Sequence, residues 1–307
     1  MKKVFIDGSA GTTGLRIRER LAAREELELI HLPEELRKDP NARREALHQA
    51  DVAFLCLPDA AAIEAVSLAE GSDTVIIDTS TAHRTHPAWE YGFPELFGRR
   101  TRIATSKRIA NPGCHASGFV ALVEPLVREG ILDAGAHLNC TSITGYSGGG
   151  KKMIAEYEDS GRDILLDAPR MYGLSQTHKH LPEMAKICGL DRDPVFCPIV
   201  APFYSGMEVT VPLFADQIRG NVAQIRELYK TYYQTGLVRY ADAADESGFL
   251  SANAFSNRDD MQITVCGNAE RVLLVARFDN LGKGASGAAI QNMNLVLGAD
   301  EATGLNV

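Results

Sequence analysis

The sequence predicts an α/β protein in two parts: a parallel sheet covered by helices on both faces, then an α+β segment with a mostly antiparallel sheet. Three observations predict it. Short, almost wholly apolar strand segments alternate with helical ones from Val4 to Asp78. Beyond about Gly118 the strand segments lengthen and alternate apolar with polar residues, which is the pattern of a sheet with one buried face. A last helical segment carries enough apolar side chains to pack back on the first part.

Val4-Phe5-Ile6-Asp7 reads as the first strand, followed by a turn over Gly8–Gly14 and a helix with Leu15, Ile17, Leu21 and Ala22 on its apolar stripe. A second strand, Leu27 to Leu32, is stopped by Pro33. Helical sequence surrounds Ala42 to Gln49, and the buried-type strand Val52 to Leu57 ends at Pro58. A helix over Ala60 to Ala69 and a strand over Thr74 to Asp78 complete the alternation. The second part opens with a helix from Phe119 to Arg128, then a strand around His137 to Thr144 and the glycine-rich loop Gly145–Gly150. Alternating strands follow at Gly206–Pro212, Met261–Cys266 and Arg271–Phe278, with a helix Val222–Tyr233 to cover one face. The last helix spans about Ala285 to Leu297, apolar at Ala288, Ala289, Met293, Val296 and Leu297.

Composition narrows the function classes. Of 307 residues, 45% are hydrophobic and 23% charged, which excludes a disordered or fibrous chain. The 32 basic and 40 acidic residues give a net charge of −8, so no global basic field exists to hold nucleic acid. No apolar run reaches the roughly 18 residues needed to span a membrane. Met1-Lys2-Lys3 leads directly into an apolar stretch cut short at Asp7, so no signal peptide is expected and the location is read as cytoplasmic. The six cysteines, at positions 56, 114, 140, 188, 197 and 266, form no CxxC pair. Reduced, mostly buried thiols are expected, with no metal-ligand set.

Gly8, Gly11 and Gly14 follow a strand and open a helix, the context of a dinucleotide-binding turn, although the spacing is GxxGxxG rather than GxGxxG. Glycine allows close approach to a pyrophosphate, the helix start offers N–H groups, and Ser9, Thr12 and Thr13 add hydroxyls. At the tip of the second strand, where an NAD site places an acid, stand His31 and Leu32, with Arg37 and Lys38 shortly after. That favours the 2′-phosphate of NADP; a solvated helix face is the other reading of the two cations.

Asn111-Pro112-Gly113-Cys114-His115 makes a tight turn just ahead of an apolar helix, leaving Cys114 at or beside the helix N-terminus. There the dipole and free N–H groups stabilise a thiolate that can attack a carbonyl, and the same amides can hold the oxyanion. This Asn-Pro-Gly-Cys segment, the Gly8–Gly14 turn and Asp279-Asn280-Leu281-Gly282-Lys283-Gly284-Ala285 together resemble the N-acetyl-γ-glutamyl-phosphate reductase family of the semialdehyde dehydrogenase superfamily. The resemblance runs from about residue 4 to 297 and is strongest to the shorter variety of that family.

The resemblance implies a Rossmann-type NADP-binding domain, residues 1–116 and 285–307, with an inserted α+β catalytic and dimerisation domain, residues 117–284. It implies NADPH-dependent reductive dephosphorylation of an acyl phosphate to a semialdehyde in arginine biosynthesis, through a thioacyl intermediate on Cys114. Thr177 to Glu183 resembles the segment that supplies the general base, so His178 and His180 are both candidates and Glu183 a substrate contact. Two apart and extended, the histidines would point in different directions. Gly145 to Lys151 resembles a phosphate- or carboxylate-binding loop, with Ser147 and Lys151 as ligands, although Lys151-Lys152 stands where longer relatives carry arginine. Ser80 is expected beside the cofactor, Arg84 and Asn111 beside the substrate, and Asn280 on the nicotinamide carboxamide. A homodimer or homotetramer is implied. Aspartate-semialdehyde dehydrogenase, an aminoadipyl-phosphate reductase and a non-catalytic nucleotide-binding regulator are the alternatives.

Overall fold

The computed structural model describes residues 1–234 and 236–307. The chain divides into two compact units, Met1–Pro112 with Ala285–Leu305, and Gly113–Gly284 with Asn306–Val307. The first division therefore falls four residues ahead of the expected 116, and Cys114 and His115 belong to the second unit.

In the first unit the elements run β1 (Lys2–Asp7), α1 (Thr12–Leu21), β2 (Leu27–Ile30), α2 (Pro40–Gln49), β3 (Val52–Leu55), α3 (Asp59–Leu68), β4 (Val75–Asp78), β5 (Glu90–Tyr91), α4 (Arg99–Thr105) and β6 (Arg108–Ala110). The strands form one parallel sheet in the order β2-β1-β3-β4-β6-β5. The chain moves outward from β1 to β2 and then returns to the other side of β1. The strand order thus reverses between β1 and β3, where open α/β sheets bind ligands beyond the strand carboxyl ends. Every residue of β3 is buried, as a strand covered on both faces requires. Val4, Ile6, Val52 and Phe54 face one core with Ile17, Leu21, Ile103 and, from the final helix Gly287–Leu297, Ala289, Ile290 and Met293. Phe5, Ala53 and Leu55 face the other core, with Leu47 of α2 and Ala62 and Ala65 of α3. α2 begins where Asp39 caps the amides of Asn41 and Ala42 and Pro40 fills the first turn. β2 ends two residues early, so His31 and Leu32 leave the ladder at its carboxyl end.

The second unit holds α5 (Cys114–Arg128), β7 (Asn139–Gly145), α6 (Gly150–Glu158), β8 (Arg170–Met171), α7 (Leu181–Cys188), β9 (Val195–Ala201), β10 (Met207–Phe214), α8 (Val222–Tyr232), β11 (Val238–Tyr240), β12 (Met261–Gly267) and β13 (Arg271–Phe278). Its sheet runs β11-β12-β13-β10-β7-β9-β8. The pairings are antiparallel except β11 with β12 and β7 with β9. α5 and α8 cover the face that carries Ser142, Phe196, Val209 and Leu274, all buried. The opposite face carries Thr141, Ile143, Cys197, Ile199 and Thr210 half-buried, with Phe214 and Leu273 exposed.

α5 starts at Cys114, at the helix N-terminus expected there, and so takes in the five residues ahead of the apolar segment from Phe119. Ser117 and Gly118 lie inside the helix, where Ser117 Oγ donates to Gly113 O. Gly118 is where the helix touches the sheet: a Cβ there would lie 2.5 Å from Val209 Cγ2. β9 was not foreseen, because Pro198 breaks its pattern; Pro198 O nonetheless accepts the amide of Tyr172. Among the described residues no helix is long and apolar enough to cross a membrane.

Candidate active site

Cys114 is the first residue of α5, with Gly113 as its N-cap and no side chain closing the helix end. The turn that presents it is held from α7: Gly113 N donates to Glu183 Oε1 at 2.8 Å, and Glu183 is almost completely buried. Gly284 backs the nucleophile, since a Cβ at that position would meet Cys114 Cβ at 3.0 Å. Sequence reasoning placed Glu183 on substrate; the structure gives its carboxylate to the nucleophile turn.

His115, one residue on, is buried beneath the helix start. Its Nδ1 lies 2.7 Å from Ser142 Oγ on β7 and its Nε2 2.7 Å from the Tyr172 hydroxyl. Burial lowers its pKa to about 3, so the imidazole is neutral. None of these three residues was singled out by the sequence, whose only signal was that His115 follows the cysteine.

His178 and His180 are not extended. His180 has helical backbone as the N-cap of α7, and its amide donates to His178 Nδ1 at 3.2 Å. The two rings meet edge to face at 4.8 Å and both pack on His115, with centroids 5.8 and 5.5 Å away. The expectation that they point apart fails because the chain turns into a helix between them. Burial, with Lys179 beside it, lowers the His178 pKa. The bond to Nδ1 leaves the His178 ring proton on Nε2.

The glycine-rich loop is spent on its own backbone. Gly145, Tyr146 and Ser147 donate their amides to the carbonyls of Gly206, Phe203 and Tyr204. Ser147 is buried and its Oγ accepts from Asn280 Nδ2 at 3.0 Å, while Asn280 Oδ1 accepts from Gly206 N. The expected ligand roles of Ser147 and Asn280 thus meet a side-chain pair already bonded to each other. Lys151 stands exposed in the first turn of α6.

In the first unit, Gly8 adopts φ +86° and a Cβ there would sit 2.3 Å from Cys56 O. Gly14 has the same constraint, 2.5 Å from Gly8 O, so two of the three turn glycines are required by close backbone approach. α1 starts at Thr12 without a side-chain cap or an acid in its first turn. Beside it lies a cavity of about 220 Å³ lined by Gly8, Ser9, Arg18, His31, Arg37 and Lys38 among others. Asp7 also lines it, but its carboxylate is bound by Arg43 at 3.0 Å. An open helix start, tight glycines and three cations around one cavity fit the phosphates of a nicotinamide dinucleotide. Arg18 is the cation sequence reasoning missed.

Ser80, Arg84 and Asn111 are each tied into the unit. Ser80 Oγ donates to Asp78 Oδ2, whose other neighbour is His83 Nδ1 at 2.6 Å. Arg84 donates to the carbonyls of Thr79 and Asn111. Asn111 Nδ2 donates to Ala285 O, and its Oδ1 accepts from Asn292. These bonds fasten the ends of β4 and β6. Among the described residues no group of three or more His, Cys, Asp or Glu could hold a metal ion.

Residues 114–280 match the semialdehyde dehydrogenase dimerisation-domain family, and residues 33–105 the semialdehyde dehydrogenase NAD-binding-domain family. The N-acetyl-gamma-glutamyl-phosphate reductases of Brucella ovis and Brucella canis are each 47% identical over 306 residues, covering 96% of this chain and 99% of theirs. The chain belongs to the N-acetyl-gamma-glutamyl-phosphate reductase family. Its fold is that of the wider superfamily. Aspartate semialdehyde dehydrogenase II from Vibrio cholerae superposes with a TM-score of 0.71 at 17% identity, over 97% of this chain and 98% of that one. The Francisella tularensis aspartate semialdehyde dehydrogenase gives 0.72 at 14%, over 97% and 100%. At those identities only the fold is shared. Membership in the reductase family makes a nicotinamide cofactor and a subunit-forming second unit properties of this chain, and both family matches fall on the units that would serve them.

Proposed function

We propose that the chain reduces N-acetyl-γ-glutamyl phosphate to the corresponding semialdehyde with NADPH, through a thioester on Cys114. The observation that carries this reading is the cysteine at the open start of α5, on a turn fastened by Glu183 and followed by His115, on which the histidine pair packs. Cys114 Sγ attacks the acyl carbon, the carbon–oxygen bond to phosphate breaks, and phosphate leaves with the electron pair. Amides at the start of α5 stand where a developing oxyanion is stabilised. The dinucleotide, when bound, supplies the hydride that reduces the thioester. A base then takes the hydroxyl proton of the thiohemiacetal and the thiolate is expelled, regenerating Cys114. His178 presents its ring N–H, so it serves as a donor, and His180 takes the role of base.

Arg18, Arg37 and Lys38 hold the 2′-phosphate and make NADP the preferred cofactor. Subunits join through the open sheet face around Thr141, Ile143, Ile199 and Thr210 as a homodimer or homotetramer.

The test is the reverse reaction with phosphate, offering N-acetylated and free-amine semialdehydes with NADP and with NAD. Turnover is expected on the N-acetylated substrate with NADP, and to vanish in Cys114→Ala while dinucleotide binding persists. Turnover retained in Cys114→Ala, or a preference for the free amine, overturns the reading.

A further inference from the structure

A carboxylate stands at the wall of the cavity assigned to the dinucleotide. Asp7 ends β1 immediately ahead of Gly8, and it lines the cavity together with Gly8, Ser9 and Arg18. The sheet fixes its place: Asp7 pairs with Leu55 of β3, and its carbonyl accepts the Cys56 amide at 2.8 Å. Like Phe5 two residues earlier, it turns its side chain to the face covered by α2 and α3. Asp7 is buried, so its charge is poorly screened by water and would repel a phosphate held beside it.

The partner comes from α2. Arg43 Nε donates to Asp7 Oδ2 at 3.0 Å, and Arg43 Nη2 lies 3.0 Å from the same oxygen. Arg43 Nη1 donates to Glu64 Oε2 on α3 at 2.7 Å. Arg43 is buried like Asp7, whereas the Glu64 side chain is half exposed and meets water. Burial raises the Asp7 pKa, and the guanidinium beside it works the other way. The charged or titratable groups on the rest of the cavity wall are Arg18, His31, Arg37 and Lys38.

We propose that Arg43 is a positioning residue for dinucleotide binding: acting through Asp7, it cancels the carboxylate's charge at the cavity wall and lets phosphates occupy the space beside it. The inference rests on this cavity being the dinucleotide site. Affinity then follows the summed charge of Asp7, Arg43 and Glu64. That sum is one net negative charge in the native protein, two in Arg43→Met, none in Asp7→Asn and one again in the double variant. A pair that only braced β1 against α2 would behave differently. Either single substitution breaks it, so both would weaken binding.

The experiment titrates the full-length enzyme with NADP by calorimetry, at neutral pH and low ionic strength. Arg43→Met should weaken binding about tenfold and Asp7→Asn should strengthen it about threefold. The double variant Asp7→Asn/Arg43→Met should return to within about twofold of the native affinity, because it removes both members of a buried pair. Weakening in both single variants, or a double variant no better than Arg43→Met, overturns the proposal. Arg43→Met leaves a carboxylate buried without its partner, and if that variant does not fold, an Asp7→Asn affinity no tighter than native overturns the proposal instead. Arg18→Glu, a change at an exposed side chain of the same cavity, should weaken binding at least about tenfold. Native-like affinity there defeats the dinucleotide reading of the cavity and the proposal with it. A loss there beside unchanged affinity in the Asp7 and Arg43 variants defeats the proposal alone.

Discussion

Burying a histidine between Ser142 and Tyr172 costs the imidazole its charge, and that cost appears as a pH dependence of stability. The folded-state pKa of His115 is about 3, against an ordinary value near 6.5. Between those values the unfolded chain binds a proton at this site and the folded chain does not. Stability from His115 is therefore complete above about pH 6.5 and is lost as pH falls. From pH 6.5 to 5 the loss is about 2 kcal/mol. Half-buried His178, also shifted down, adds in the same direction. Urea unfolding at pH 7 and pH 5 should show this difference in the native protein and a smaller one in His115→Gln. Equal differences in the two proteins would mean that His115 is charged when folded. The same residue shows how much of the site lay beyond sequence reading. Cys114 could be found because its neighbours Pro112 and Gly113 announce a helix start. The partners that orient the site lie far along the chain, at separations of 27 residues for His115 with Ser142, 57 for His115 with Tyr172 and 70 for Gly113 with Glu183. Local pattern carries no information about such pairs.

At the scale of elements, α5 both presents the nucleophile and packs on the sheet. Its contact is made at Gly118, where a Cβ would overlap Val209 and come within 2.9 Å of Phe278 Cε1. A glycine inside a helix ordinarily costs stability, and here it is the condition for the helix lying this close to β10 and β13. Gly118→Val should therefore destabilise the protein by about 2 kcal/mol through overpacking, seen as a lower urea midpoint. Because the start of α5 moves with the helix, turnover should fall more than dinucleotide binding. An unaltered midpoint would show that the helix can shift without cost. The Asn-Pro-Gly-Cys turn announces the helix start at Cys114, but only the sheet beneath α5 shows why a glycine stands at position 118. The strands divide similarly. β1, β3 and β4 declare themselves as apolar runs, because both their faces are buried. β9 does not, since Pro198 interrupts it and its alternating residues serve two different faces.

For the whole molecule, the question is what covers the second face of the larger sheet. α5 and α8 occupy one face, and the other leaves Ile143, Cys197, Ile199 and Thr210 half-buried and Leu273 and Phe214 exposed. Self-association through this face predicts that Ile199→Lys will dissociate the assembly, because it places an ammonium in a desolvated contact. Sedimentation should then give a species near the chain mass of 33.3 kDa, with unfolding of each unit otherwise intact. Unchanged sedimentation would place the subunit contact elsewhere.

The sequence by itself determined the fold class, the switch-point turn at Gly8–Gly14 and the position of Cys114 at a helix start. Each depends on periodicity or on the backbone preferences of Gly and Pro within a few residues. Only the tertiary structure decided which polar side chains are available for chemistry. Ser147 and Asn280 bind each other, Asn111 and Arg84 fasten strand ends, and Glu183 holds the nucleophile turn. A buried polar group must find its partner wherever the fold brings one, and residue type alone does not distinguish a ligand from a strut.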